Sequence, residues 1–368
     1  MRVLILSCNT GEGHNSCSKA IQNYFRNHNI VCETVDALRF LSPRFSNIIS
    51  RGHTKLYLHA PKLFHSAYQY AQIHNRIFTE SSCIYKLLSS ATDKLYHFIQ
   101  EHDYDIILCT HVFSGLMITD VRRKHHTSFR TAFISTDYTC SPSCGESILD
   151  VYFIPDATLL DEFAACGIPK TKLIVSGIPV REKFLHPIDK YNAKKRLLIP
   201  ASSRHLLIMC GSMGCGPIRS LVKLINDQLP DNCYVSVICG TNKRLQQQLM
   251  TDYYQQPFIN VYGYRNDISA IMDSADLYLT KPGGLSTTEA AAKKLPMVFI
   301  NNIAGCETHN MHYFLQQGCA VSANTPEEVV SVTLSLLSNT KQLQQMSDSF
   351  SYPRNPSPAE LIFDYFTK

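Results

Sequence analysis

Residues 276–302, DLYLTKPGGLSTTEAAAKKLPMVFINN, read as a strand, a glycine turn, a helix and a second strand. An apolar run ends at Thr280, Pro282-Gly283-Gly284 turn the chain, and Ser286 or Thr287 is expected to cap a helix running through Glu289 and Ala292. A second apolar run, Met297–Asn301, follows. Short apolar runs with few alternating polar positions, joined by a helix, describe neighbouring parallel strands, because a parallel connection requires a crossover. The turn itself has two readings. Its glycines let the backbone approach a bulky anion, and the N–H groups at the helix start favour a diphosphate, with Lys281 as a nearby cation. The same residues also suit a plain strand-to-helix turn with a hydroxyl cap.

Working outward, the pattern repeats. MCGSMGCGP (209–217) places Gly211 and Ser212 after a strand, and VICGTNKRL (237–245) places Gly240, Thr241 and Asn242 between a strand and a helix. Three glycine turns on one rim favour a nucleotide site over three unrelated turns. Polar groups gather on the same rim. Glu289 can accept from ribose hydroxyls or serve as a surface charge near the helix start. GCETHN (305–310) adds Glu307 and Asn310, and YGYRND (262–267) offers Tyr262, Gly263, Tyr264 and Arg265 to stack on or bond a base.

Strand-like runs occur in two series. The first is Val3–Cys8, Val31–Ala37, Asp105–His111, Thr131–Thr136, Val151–Pro155 and Leu173–Ser176. The second is His205–Cys210, Tyr234–Cys239, Phe258–Tyr262, Leu277–Thr280, Met297–Asn301 and Cys319–Val321. Helical segments such as Ser16–His28, Cys83–Glu101 and Ile218–Gln228 lie between them. Alternating strand and helix gives an α/β, doubly wound parallel sheet, and two series give two such domains with a cleft at the carboxyl ends of their strands. The expected division is 1–185, a linker at 186–204 carrying Pro187 and Pro200, 205–345, and a final segment 346–368. That final segment should form a helix after Pro358 and pack back on the first domain.

The first series opens with a different glycine loop, SCNTGEGHNSC (7–17). Gly11 and Gly13 are present, but Ser16 stands where a dinucleotide fingerprint has its third glycine, and His14 sits where the helix begins. The loop either serves a nucleotide or presents that histidine.

Composition bounds the class. The 368 residues are 45% hydrophobic and 18% charged, enough for two globular domains. Fourteen cysteines without a CxxC pair are expected as reduced thiols. RVLILSC is too short for a signal-peptide core, and no run approaches the roughly 18 apolar residues of a membrane span, so the protein is expected to be soluble or to touch a membrane from one side only. Net charge is +5, but Ala37–Thr79 holds no acidic residue while carrying Arg39, Arg44, Arg51, Lys55, Lys62 and Arg76 among aromatics. That stretch is either a solvated basic face or a surface for anionic lipid. Nucleic acid is not expected, because no recognition-helix or RNA-binding signature accompanies it. No DxD-type acidic pair follows a strand in the second half, so no obligatory metal is expected.

These motifs resemble the diacylglycerol glycosyltransferases, which include bacterial processive glucosyltransferases and plant monogalactosyldiacylglycerol synthases, relatives of the peptidoglycan N-acetylglucosaminyltransferase. TGEGH, LYLHAPKLF, FISTDYTCSP, VSGIPVREKF, MCGSMGCGPI and VICGTNKRL occur in family order, ahead of the donor segment quoted first. The resemblance implies a GT-B scaffold of two facing Rossmann-like domains. It implies inverting transfer of a hexose from UDP-glucose or UDP-galactose to diacylglycerol, with the UDP-sugar as substrate and no obligatory cofactor. It places Gly283, Gly284, Leu285 and Ser286 at the diphosphate, with Gly211, Ser212, Gly240 and Asn242 beside it. The Tyr262–Arg265 turn would hold uracil, and Glu289, Glu307 and Asn310 would contact ribose and sugar. His14 would be the general base, and Asp137 would orient it or contact the acceptor. Arg44, Arg51, Lys55 and Lys62 would face an anionic membrane surface, making the protein peripheral on the cytoplasmic face. Two segments differ from the family: TDYTCSPSCGES lacks the usual histidine and tryptophan, and Cys306 stands where glutamine is common. Transfer to another lipid-linked acceptor such as a peptidoglycan precursor, UDP-sugar epimerisation, and nucleotide-sugar sensing without turnover are the alternatives.

Overall fold

A computed structural model describes residues 1–9, 11–41, 79, 82–300 and 305–368. Arg44, Arg51, Lys55 and Lys62, expected at a membrane, lie outside the described residues. Two compact units emerge. Met1–Arg181, Ile303–His309 and Pro353–Lys368 form one, and Glu182–Asn302 with Asn310–Tyr352 form the other.

The first unit runs β1 (Arg2–Ser7), α1 (Glu12–Asn27), β2 (Val31–Asp36), α2 (Cys83–Ser89), α3 (Thr92–Glu101), β3 (Ile106–Cys109), α4 (Val112–Lys124), β4 (Arg130–Ile134), β5 (Val151–Ile154), α5 (Leu160–Ala165) and β6 (Leu173–Val175). Its parallel sheet has the order β2-β1-β3-β4-β5-β6. Val3 to Leu6 and Ile106 to Cys109 are almost wholly buried, as strands covered on both faces must be. Val3 pairs with Ile106 on one side of β1 and with Cys32 on the other. Strand order therefore reverses beside β1, which opens a crevice between the loops leaving β1 and β3.

One expected helix, Cys83–Glu101, is two. The break at Ser90–Ala91 follows from Asp120 on α4, only 2% exposed. Its carboxylate accepts from Tyr85 Oη at 2.5 Å, from Ser89 Oγ at 2.8 Å and from Thr92 Oγ1, and it pairs with Lys124 at 2.9 Å. Gathering hydroxyls from both sides of the break fixes the bend.

The second unit runs α6 (Glu182–Leu185), α7 (Lys190–Arg196), β7 (Arg204–Met209), α8 (Ile218–Asn226), β8 (Cys233–Ile238), α9 (Lys243–Asp252), β9 (Ile259–Tyr262), α10 (Ile268–Ser274), β10 (Leu277–Thr280), α11 (Gly284–Ala292), β11 (Met297–Phe299), α12 (Cys306–Gln316), β12 (Ala320–Ser322), α13 (Pro326–Ser338) and α14 (Thr340–Asp348); the first residues of α12 group with the other unit. Its parallel sheet has the order β12-β11-β10-β7-β8-β9, the doubly wound arrangement, with its reversal between β7 and β10. Leu277 pairs with Leu206 and Leu279 with Ile208, so the loops after these two strands flank one crevice.

Residues 186–204, expected as a linker, instead belong to this unit, and the division falls at Arg181/Glu182. The helix α7 packs on α10. Its Lys194, 4% exposed, meets the buried Asp276 at 3.3 Å, and Lys190 meets the same carboxylate at 2.8 Å. A lysine buried with its counter-ion marks integral structure rather than a tether.

Residues 353–368 return to the first unit through α15 (Pro358–Thr367), which starts in a capping box between Ser357 and Glu360. Phe363 sets its ring against Tyr24, Phe25 and His28 of α1. Arg130 stacks over Phe366 at 4.6 Å and donates to the carbonyls of Tyr365 and Phe366. All fourteen cysteines are free thiols. No helix among the described residues is long and apolar enough to cross a membrane.

Candidate active site

At the crevice of the first unit the loop after β1 is pinned by its own side chains. Ser7 Oγ donates to Asn15 Oδ1 at 2.9 Å, and Asn15 Nδ2 donates to Asn9 Oδ1 at 2.9 Å. Gly11 precedes α1 in extended conformation, and among the described residues no side chain caps the helix and none stands within 4 Å of where a Cβ would be. His14 then turns into the crevice. Its Nδ1 lies 2.8 Å from the carbonyl oxygen of Thr110, just beyond β3, and 3.0 Å from Thr136 Oγ1, just beyond β4.

A carbonyl can only accept, so Nδ1 carries the proton and neutral His14 keeps its lone pair on Nε2. The ring is partly accessible yet densely surrounded by protein. Burial lowers its pKa below the usual 6.5, more than the Asp137 carboxylate and the Thr110 carbonyl raise it. The neutral, proton-accepting form therefore prevails at neutral pH. His111 meets His14 edge-on at 4.7 Å and uses its own Nδ1 to accept from Phe113 N, capping α4.

In the second unit, the turn at Pro282 leads into α11 with Gly283 at the cap position and no capping side chain among the described residues. This corrects the expectation that Ser286 or Thr287 caps the helix. Both sit inside the helix, whose start is Gly284, and both hydroxyls reach back to the Gly283 carbonyl, at 3.2 Å and 2.9 Å. Thr288 does the same to Gly284 at 2.6 Å. A helix start uncapped by any described side chain is chemically suited to an anion.

Lys281 crosses the crevice between the two strand ends. A Cβ added at Gly211 would stand 2.9 Å from its Cε, and one added at Gly283 would stand 3.7 Å from its Nζ. The other two glycine loops interlock. Gly240, at φ +58°, faces the Ser212 carbonyl so closely that a Cβ would lie 2.0 Å from it, and Thr241 N donates to that carbonyl at 2.8 Å. Asn242 caps α9 by accepting from Leu245 N and donates to the Gly214 carbonyl at 3.2 Å.

Two family models match these two halves. Monogalactosyldiacylglycerol synthase matches residues 14–180, from the histidine of the first crevice through its sheet, and the glycosyltransferase family 28 C-terminal domain matches residues 205–360, including all three glycine loops. Together the two matches make the chain similar, over most of its length, to the diacylglycerol glycosyltransferases. Among curated proteins, the processive diacylglycerol beta-glucosyltransferase of Staphylococcus saprophyticus is 28% identical over 96% of this chain and 89% of its own length. That of Staphylococcus aureus strain JH9 is 27% identical over 94% and 87%. Solved structures share the fold at lower identity. MurG of Acinetobacter baumannii superimposes with a TM-score of 0.65 at 14% identity, covering 99% of this chain and 98% of that one. UDP-GlcNAc 2-epimerase of Neisseria meningitidis gives 0.62 at 11%, covering 100% and 99%. The family scaffold is GT-B, two Rossmann-like units.

Within this family frame, the expected site residues divide by what their side chains already do. Gly211, Ser212, Gly240, Lys281, Gly283 and Gly284 meet at the crevice of the second sheet, with the buried Leu285 and with Ser286 in the first turn of α11. Asn242 is a cap and loop tie. Asn310, fully buried, donates its amide to the Pro282 carbonyl at 3.1 Å and so braces the turn. Glu289 and Glu307 are buried, at 6% and 5% exposure, on α11 and α12. Arg265 lies over the Tyr262 ring at 4.8 Å and is paired with Asp267, so one face of that ring is already covered, whereas Tyr264 is 60% exposed and Gly263 abuts Gln246. Sequence reasoning missed Thr110 and Thr136. Both follow strands that neighbour one another in the sheet, which is the available signal, but a backbone carbonyl has no signature in sequence.

The ammonium of Lys281 supports one direct expectation. Lys281→Met should raise the KM for the donor by about tenfold, the worth of one charge-assisted contact, with a smaller change in the KM for the lipid. Initial-rate kinetics at constant ionic strength measure both, and an unchanged donor KM removes Lys281 from the site.

Proposed function

We propose that the protein is an inverting glycosyltransferase that moves a hexose, glucose or galactose, from a UDP-sugar to the hydroxyl of diacylglycerol, forming a membrane glycolipid. The observation that carries this reading is the union in one chain of the monogalactosyldiacylglycerol synthase match, beginning at His14, with the family 28 C-terminal match across the glycine loops. In the reaction, the acceptor hydroxyl passes its proton to His14 Nε2 while its oxygen attacks the anomeric carbon. The bond from that carbon to the diphosphate breaks on the opposite face, and UDP leaves with the bonding pair. A neutral imidazole accepts the proton readily, and Nδ1 stays tied to Thr110 throughout. The start of α11 and Lys281 take the charge that grows on the leaving diphosphate. Asp137 stabilises the imidazolium as it forms.

The acceptor is met at an anionic membrane surface, through the basic, aromatic stretch 37–79 that carries Arg44, Arg51, Lys55 and Lys62. This makes the protein peripheral on the cytoplasmic face. The fold likeness to 2-epimerases gives the competing reading, and product analysis separates the two. Incubation with radiolabelled UDP-glucose or UDP-galactose, with and without vesicles of diacylglycerol and phosphatidylglycerol, should yield label in a lipid only when diacylglycerol is present. Vesicle binding should weaken as salt rises. A converted free nucleotide sugar, or bound donor without turnover, defeats the proposal.

A further inference from the structure

We propose that Thr136 is a positioning residue for His14, its hydroxyl coupling the Asp137 carboxylate to the imidazole ring. The inference rests on His14 acting as the base. Thr136 is 8% exposed and stands two residues beyond the end of β4, between the two titratable groups it would link. Its Oγ1 lies 3.0 Å from His14 Nδ1 and reaches Asp137 Oδ2 at 3.5 Å. Because Nδ1 already donates to the Thr110 carbonyl, its proton is shared between two acceptors, and the Thr136 hydroxyl proton is directed to Asp137.

The arrangement does two things. Two acceptors from two different strand ends fix the ring plane, which a single hydrogen bond would leave free to rock. The order of donation also runs from His14 through Thr136 to the carboxylate. Positive charge appearing on the ring when Nε2 takes the acceptor proton therefore strengthens both links. No proton reaches Asp137 in this scheme: the hydroxyl proton stays on Thr136 and the imidazolium keeps both of its own. The charged or titratable groups facing His14 among the described residues are Asp137 and His111. His111 Nδ1 is committed to the Phe113 amide, so the Asp137 link is the one that Thr136 controls.

Thr136→Val keeps shape and removes the hydroxyl, Thr136→Ser keeps the hydroxyl, and His14→Gln serves as the reference. For the valine variant kcat should fall on the order of tenfold, with the KM for the UDP-sugar unchanged. The acid limb of its kcat/KM profile should move to lower pH, because the imidazolium loses support. NMR titration of His14 should show the same downward shift in the absence of substrates. Serine should restore both readouts to near the parent values. A valine variant with parental kcat and an unmoved His14 titration overturns the inference, as does a serine variant that fails equally, which would assign the effect to packing. Should valine not fold, the serine variant and Thr136→Ala are compared by the same titration, and equal His14 pKa values in the two overturn it. A fully active His14→Gln instead removes the base itself, so the two failures are distinguishable.

Discussion

On the proposed mechanism, His14→Ala should lower kcat roughly 10²–10⁴-fold, the usual worth of a general base. Donor binding should be unchanged, because the proposed donor loops around Gly211, Gly240 and Gly283 do not involve the histidine. The pH profile carries the more specific signature. Burial holds His14 below 6.5. If the deprotonated form is the active one, as proposed, kcat/KM should rise with pH through that lowered value and be flat at neutrality. In the alanine variant this acid limb disappears. Initial rates between pH 4.5 and 8 on vesicles of fixed composition, together with isothermal titration of UDP, test both statements. A variant that keeps its acid limb places the titrating group elsewhere.

Asp120→Ala is expected to be the most destabilising single change in the first unit, costing about 3–5 kcal/mol, because it leaves a buried group of donors without an acceptor. Tyr85, Ser89, Thr92 and Lys124 all converge on that carboxylate. Burial works to raise its pKa, but the hydrogen bonds from Lys124, Thr92, Tyr85 and Ser89 outweigh it and hold it below the ordinary value. The sign follows. Stability from this cluster is complete above the unfolded carboxyl pKa of about 3.9 and drains away as pH falls through the lower folded value. A chain of two units need not unfold in a single step, so native-state hydrogen exchange in residues 83–101 is the measurement. Protection there should drop by two or more orders of magnitude, while Tyr85→Phe costs only about 1 kcal/mol. Equal protection in parent and Asp120→Ala would show that α2 and α3 are held by apolar packing alone.

The strands were legible because a parallel strand covered on both faces has no choice but a continuous apolar run, as in Val3–Leu6, Ile106–Cys109 and Leu206–Met209. Helix limits were less so. Nothing local in Cys83–Glu101 announces the break at Ser90, since its cause, Asp120, is about thirty residues away in sequence. The segment 186–204 looked like a tether because prolines frame it, yet the burial of Lys194 depends on Asp276 in another element. The site followed the same rule. His14 and the Gly283 turn were visible as local motifs, whereas the atoms that set the histidine tautomer come from Thr110 and Thr136, distant in the chain and close only through strand order. The hydroxyls of Ser286 and Thr287 were misread as caps because sequence names a group without its direction.

The return of residues 353–368 to α1 bears on how the protein is made. The unit synthesised first lacks one of its packing surfaces, the aromatic face that Phe363 covers, until the second unit has been translated. At ordinary elongation rates that interval is roughly 10–40 s. The emerging amino-terminal half must spend it with Tyr24, Phe25 and Arg130 uncovered, a natural occasion for a chaperone. Truncation near Pro353 should therefore trouble the half of the molecule farthest from the cut in sequence.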